Sequence, residues 1–205
     1  MKFLHWTQVF FIAAVCSFLP LFASAEDIDI DALLLKIDEK SGRYDQLIEI
    51  LQGPNATRAL AAFDVMIDTN DKTLRETAIS AAIAATDERL RARALWETLV
   101  QKDTVTLSIE TAELDNEAKT DLDKWIGPVS TWAITARFPE TQCLNLNDTA
   151  RCSPNQSFSV SGLQVDLRYA GRMEGRFSLN EEGVLVGEIT NPRSKAVFPA
   201  SIVLR

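Results

Sequence analysis

Histidine is nearly missing from this chain: the only one is His5, inside an N-terminal leader. Beyond that leader there can be no Ser-His-Asp site, no Cys-His nucleophile and no histidine-ligated metal. Cysteine is scarce as well. Of three, Cys16 lies in the leader, which leaves Cys143 and Cys152. The eight residues between them do not fit the Cys-x-x-Cys spacing of a redox-active pair, and no histidine could complete a zinc site. Net positive charge is absent, since 21 Lys and Arg face 29 Asp and Glu for a formal charge of −8. That balance argues against a nucleic-acid partner and against an anionic membrane surface. Long apolar runs are lacking apart from residues 9–21, which are short for a membrane span and broken by Pro20.

The leader has the parts of an export signal. Lys2 gives the positive end, Val9 to Leu21 the apolar core, and Ala23-Ser24-Ala25 a small-x-small cleavage site before Glu26. A retained anchor is the alternative. Lipid attachment at Cys16 is disfavoured because Val15 precedes it where a small residue is needed. Cleavage after Ala25 predicts a periplasmic or secreted protein without stable membrane insertion, in an oxidising compartment where Cys143 and Cys152 form a disulfide. About 180 residues would remain, enough for one large domain or two small ones.

Four parts are expected: residues 1–25 as signal peptide, 26–101 as a helical repeat-like domain, 102–128 as a linker with a short strand and helix, and 129–205 as a stapled β domain. Asp27, Asp29, Asp31 and Asp38 match some positions of a calcium loop. Ala32 replaces its glycine, however, and Ile28, Ile30, Leu33, Leu34 and Ile37 read as an apolar helix face. Helix one is therefore placed at Asp29 to Glu39. Ser41-Gly42 is expected to break it before a second helix carrying Tyr44, Leu47, Ile48 and Leu51. Gly53-Pro54 ends that helix, Asn55 caps a third, Lys72 to Ala85 makes an alanine-rich fourth, and Asp87 opens a fifth.

The chain contains one internal repeat. Asp71-x-x-Leu74-Arg75-x-x-Ala78-Ile79 recurs sixteen residues later as Asp87-x-x-Leu90-Arg91-x-x-Ala94-Leu95, with a looser copy beginning at Asn55. Sixteen residues match one helix of about 3.5 turns plus a tight connection. Asp71 to Ile83 resembles the second-helix signature of HEAT-type repeats, which stack helical hairpins into a solenoid. The resemblance implies that Asp71 caps its helix and Arg75 reaches toward a neighbouring turn, with Asp87 and Arg91 repeating both roles. HEAT motifs recur once per two helices, whereas these copies fall on successive helices.

Val105, Leu107 and Ile109 alternate as a strand or extended linker, and Asp115 to Ile126 reads as a short acidic helix closed by Gly127-Pro128. The rest alternates with period two. Trp132 to Phe138 gives a first strand. Phe158 and Val160 pair with Leu163 to Tyr169 across a Ser161-Gly162 hairpin, followed by Arg172 to Leu179, Val184 to Thr190 and Ala196 to Leu204. The whole is an α+β chain: about five antiparallel helices, then a meander of five or six strands closing into a small barrel or sandwich.

Carboxylates are the only abundant catalytic type. Glycoside hydrolysis needs two at a fixed separation, and Asp121, Asp123, Glu140, Glu181 and Glu182 are the candidates. Asp121 and Asp123 diverge on a helix, and Glu181 and Glu182 read as turn residues. Trp96, Trp125 and Trp132 fit core or interdomain packing better than exposed stacking platforms. Arg89, Arg91 and Arg93 are diluted by Glu88 and Glu97 into a solvated face. Asn55, Asn147 and Asn155 begin glycan-acceptor triplets. No residue set calls for a cofactor. The leading expectation is an exported, non-catalytic binding or scaffolding protein with a protein partner in the cell envelope. The alternatives are a small-ligand carrier built on the β domain and a carboxylate-dependent hydrolase of envelope polysaccharide.

Overall fold

A computed structural model describes residues 29–204. The export-signal reading falls on residues 1–25 and lies outside them. The order is four helices, one strand, a fifth helix and then eight strands: α1 (Ile30–Gln52), α2 (Ala56–Ile67), α3 (Lys72–Ile83), α4 (Glu88–Val100), β1 (Thr104–Ile109), α5 (Asn116–Trp125), β2 (Val129–Ala133), β3 (Ala136–Phe138), β4 (Cys143–Asn145), β5 (Gln156–Ser161), β6 (Gln164–Tyr169), β7 (Met173–Leu179), β8 (Val184–Thr190) and β9 (Val197–Val203). The fold is α+β, and among the described residues no helix is long and apolar enough to cross a membrane.

Two expected helices are one. α1 runs unbroken through Ser41-Gly42, because the apolar stripe keeps its period across them and Glu39 pairs with Arg43 over the gap. A glycine inside a helix costs only about 1 kcal/mol, and a Cβ added at Gly42 would meet nothing within 4 Å. α2, α3 and α4 pack against one another, and α2 and α3 also pack against α1, whose buried residue is Leu51 in its last turn. Ala78, Ala81 and Ala82 are buried on α3. Small side chains there let its neighbours approach closely, and Phe63, Leu90, Leu95 and Leu99 fill the space around them.

All nine strands form a single antiparallel sheet in the order β2-β1-β9-β8-β7-β6-β5-β4-β3. β1, expected as a strand or linker, is thus an interior strand between β2 and β9. The sheet's two edges, β2 and β3, are consecutive pieces of one chain segment joined through Ile134-Thr135. At that bend the Ile134 amide donates to the Asp103 carbonyl (2.8 Å) on one side and the Thr135 amide to the Asn145 carbonyl (2.9 Å) on the other. The sheet therefore curls into a half-barrel, and Trp132 of β2 lies against Tyr169 of β6 (ring centroids 5.5 Å apart) and Phe158 of β5 (6.4 Å). Curling brings backbones close: a Cβ on Gly187 would sit 1.9 Å from the Arg176 carbonyl oxygen.

The first hairpin turns one residue later than expected. Ser161 pairs with Gln164, so the link is Gly162-Leu163. Inward residues Phe158, Val165, Phe177, Leu185 and Ile189 are buried against one another. Outside, Asp166, Arg176 and Glu188 stand in cross-strand register as a charge ladder, with Arg176 Nε 3.1 Å from Asp166. α5 reaches across the barrel end, where Trp125 packs on Phe198 of β9 and donates its indole N–H to the Arg172 carbonyl (3.1 Å).

Candidate functional site

The repeat positions are structural joints. Asn55, Asp71 and Asp87, sixteen residues apart, are the N-caps of α2, α3 and α4; their side chains accept from the amides of Arg58 (3.0 Å), Leu74 (3.1 Å) and Leu90 (2.9 Å). Each bond satisfies a helix-start amide that has no partner within the helix. Arg75 reaches back to the Thr69 carbonyl (2.7 Å) in the turn before α3. Arg91 does more. Its Nε donates to the carbonyl of Ile83, the last residue of α3 (3.1 Å), and its Nη2 to the carbonyl of Asn180 in the β7–β8 turn (2.5 Å).

Arg137 of β3 makes the matching tie on α4, donating to the carbonyls of Val100 (2.7 Å) and Lys102 (2.6 Å). Nothing local in the sequence marks this strand arginine as the partner of a helix end. Both arginines cover helix C-termini, where free carbonyls and the dipole favour a cation. They also bind the helices to the barrel.

The Cys143–Cys152 disulfide is formed, with Cα atoms 5.9 Å apart. Inside its loop the fully buried Asn145 donates to Thr149 (2.7 Å) and to the Arg151 carbonyl (2.9 Å), and accepts from the Ser153 amide (2.8 Å). The loop is held shut by polar contacts as well as by the bond. Asn55, the start of one glycan triplet, has its side-chain oxygen engaged in capping α2.

The carboxylate candidates do not converge. Asp121, Asp123, Glu140, Glu181 and Glu182 are all exposed. Asp121 borders a surface cleft of about 500 Å³ at the barrel end, together with Lys124, Trp125, Arg172 and Arg193, and no second acid lines it. Glu97 on α4 is the acid whose environment resists ionisation: burial raises its pKa, the Arg93 guanidinium (3.5 Å) opposes that, and Asp64 and Asp68 add to the rise. Asp87 moves the other way, lowered chiefly by the Leu90 amide and further by Arg89. Among the described residues no three His, Cys, Asp or Glu side chains cluster as a metal site. Asp29, expected at the acidic start, is instead the cap of α1, accepting from the Ala32 amide (3.1 Å), and residues 30–41 are helical throughout.

Among the described residues the three tryptophans are spent on packing: Trp96 is buried, and Trp125 and Trp132 are half-buried against Phe198, Phe158 and Tyr169. A second cavity, about 440 Å³, lies where α3 and α4 meet the barrel and is lined partly by Ile79, Ile83 and Leu204.

Among the described residues, the first half of α1 carries an apolar stripe that no other element covers. At 23 residues the helix is about 35 Å long, against about 18 Å for each 12-residue partner, so its first three turns extend past α2 and α3. Ile30, Leu33, Leu34 and Ile37 recur there at i, i+3, i+4 and i+7 and remain 66%, 49%, 52% and 52% exposed. The same stripe continues through Tyr44, Leu47, Ile48 and Leu51, where it sinks progressively into the core.

Comparison with known protein families, curated proteins and solved structures found no match.

Proposed function

We propose that this chain is an exported, non-catalytic binding protein of the cell envelope that engages a partner protein through its helical half. The observation behind this is the uncovered stripe Ile30, Leu33, Leu34 and Ile37. A soluble amphipathic helix places its apolar face against another element, and three isolated turns are marginal in water without such cover. The rest of the molecule supplies a mount: α2 and α3 hold the second half of α1, and Arg91 and Arg137 tie the ends of α3 and α4 to the curled sheet, whose inner face is packed. The sixteen-residue arrangement of capped helices is HEAT-like in character and fits a scaffold that presents one face to another protein. The carrier and hydrolase readings have no comparable observation, since the inward barrel residues are packed together and the candidate acids stay apart.

The test is affinity capture from the native envelope with the chain from Glu26 and with its Leu34→Glu variant. A partner retained by the first and lost by the second supports the reading. Identical capture by both would remove α1 from it.

A further inference from the structure

The charges beside the stripe say what kind of partner fits. At about 100° per residue, Asp31, Asp38 and Asp45, seven apart, line one edge of α1, and Lys36, Lys40 and Arg43 line the other. All six side chains are exposed. Arg43 pairs with Glu39, and Lys40 lies over the Tyr44 ring (5.7 Å), which leaves its charge on the same edge. We infer that the natural occupant of the stripe is an amphipathic helix of a different protein, with a basic edge that meets Asp31 and Asp38 and an acidic edge that meets Lys36 and Lys40. This rests on the docking role proposed for α1 and names the chemistry of its partner.

A second copy of the chain does not fit in either direction. Two antiparallel copies bring like edges together, so Asp31 and Asp38 of one would face the same aspartates of the other, and the lysines likewise. Like charges so placed are destabilising. Two parallel copies would match the edges, but α2 and α3 already occupy the continuation of the stripe at Tyr44, Leu47 and Leu51. In a parallel pair both sets of helices would need the same space. A heterologous helix of about three turns meets neither obstacle, because it can end where α2 and α3 begin. An interface this short lies below the roughly 1,200 Å² of a standard complex, which points to reversible binding.

The test uses three synthetic 14-residue helical peptides with one leucine stripe. One has a lysine edge and a glutamate edge, one has two lysine edges and one has two glutamate edges. Binding to the chain from Glu26 is read by fluorescence anisotropy, and self-association by sedimentation. The mixed-edge peptide should bind at least fivefold tighter than either other at low salt, with the margin shrinking at high salt. Asp31→Lys/Asp38→Lys should shift the preference to the two-glutamate peptide. Leu34→Glu should remove binding of all three.

Equal binding of all three peptides that Leu34→Glu abolishes would overturn the charged-edge inference while leaving the docking role standing. Absence of any peptide binding, with envelope capture unchanged by Leu34→Glu, would overturn both. A dimer that Leu34→Glu dissociates would assign the stripe to a second copy. Peptide binding by the chain from Glu26 but not by the chain with residues 1–25 retained would assign it to the leader. Either result overturns the inference.

Discussion

The guanidinium of Arg91 lies 2.5 Å from the carbonyl oxygen of Asn180, so a helix that begins at Glu88 is bonded to a turn eighty-nine residues further along the chain. The same side chain holds the last carbonyl of α3. Gly183, in that turn, sits so close to α3 that an added Cβ would be 2.9 Å from Ile83. Arg91→Ala should take the side-chain donor from the partly buried Ile83 carbonyl and leave the Asn180 carbonyl only the Gly183 amide (3.3 Å), lowering stability by about 1–3 kcal/mol, read as a shifted urea midpoint. Arg91→Lys should recover only part of this, since one ammonium cannot reproduce the fork that reaches both carbonyls.

Helix starts and helix contacts should respond differently. Asp71→Ala removes the cap of α3 and should cost roughly 0.5–2 kcal/mol. Ala78 has no exposed surface. Ala78→Leu should cost roughly 1–3 kcal/mol, because added carbons have nowhere to go between packed helices. An unchanged melting midpoint for Ala78→Leu would contradict the packing described for α3.

The disulfide closes a short loop, and its removal by Cys143→Ala/Cys152→Ala should lower stability by roughly 3 kcal/mol or less. Asn145 and its partners hold the loop as well, so the strand order should survive in the variant's circular dichroism. Thiol titration of the unfolded, unreduced chain from Glu26 should give close to zero.

Two acids should give opposite pH slopes. Asp87 is lowered in the folded state, so its contribution is present above its ordinary value of 3.8 and is lost as pH falls through the folded value below that. Asp87→Asn keeps a capping oxygen and should flatten this acid limb. Glu97 is raised, so the folded state holds its proton longer than the unfolded one does. Its ionisation subtracts stability as pH rises from 4.5 through the raised folded value. Glu97→Gln should remove that decline in a urea-midpoint profile between pH 4 and 7.

The fold was legible where structure is set locally. Asn55, Asp71 and Asp87 cap helices because a side-chain oxygen before an apolar-periodic run has one evident use. Strands β5 to β9 could be read from alternation and turn residues. What could not be read depends on distant partners. Gly42 looks like a breaker until the stripe on both sides is seen to be continuous. β4 is only three residues within a disulfide loop, too short to carry a pattern. The bend at Ile134-Thr135 is fixed by carbonyls at Asp103 and Asn145, neither of them adjacent in sequence. The apolar face at Ile30, Leu33, Leu34 and Ile37 was plain in the sequence, but periodicity does not tell a covered face from an open one. Its exposure became visible only when α2 and α3 proved too short to reach it.

The most direct measurement is photo-crosslinking in the native cells, with a photoreactive residue at Leu34 and a control at Val65, an aliphatic on α2 that is more exposed (73% against 52%). A discrete heavier adduct at Leu34 with none at Val65 is the expected result, and its mass should not be that of two copies of this chain. No adduct at Leu34, or the same adducts at both positions, would contradict a docking role for α1.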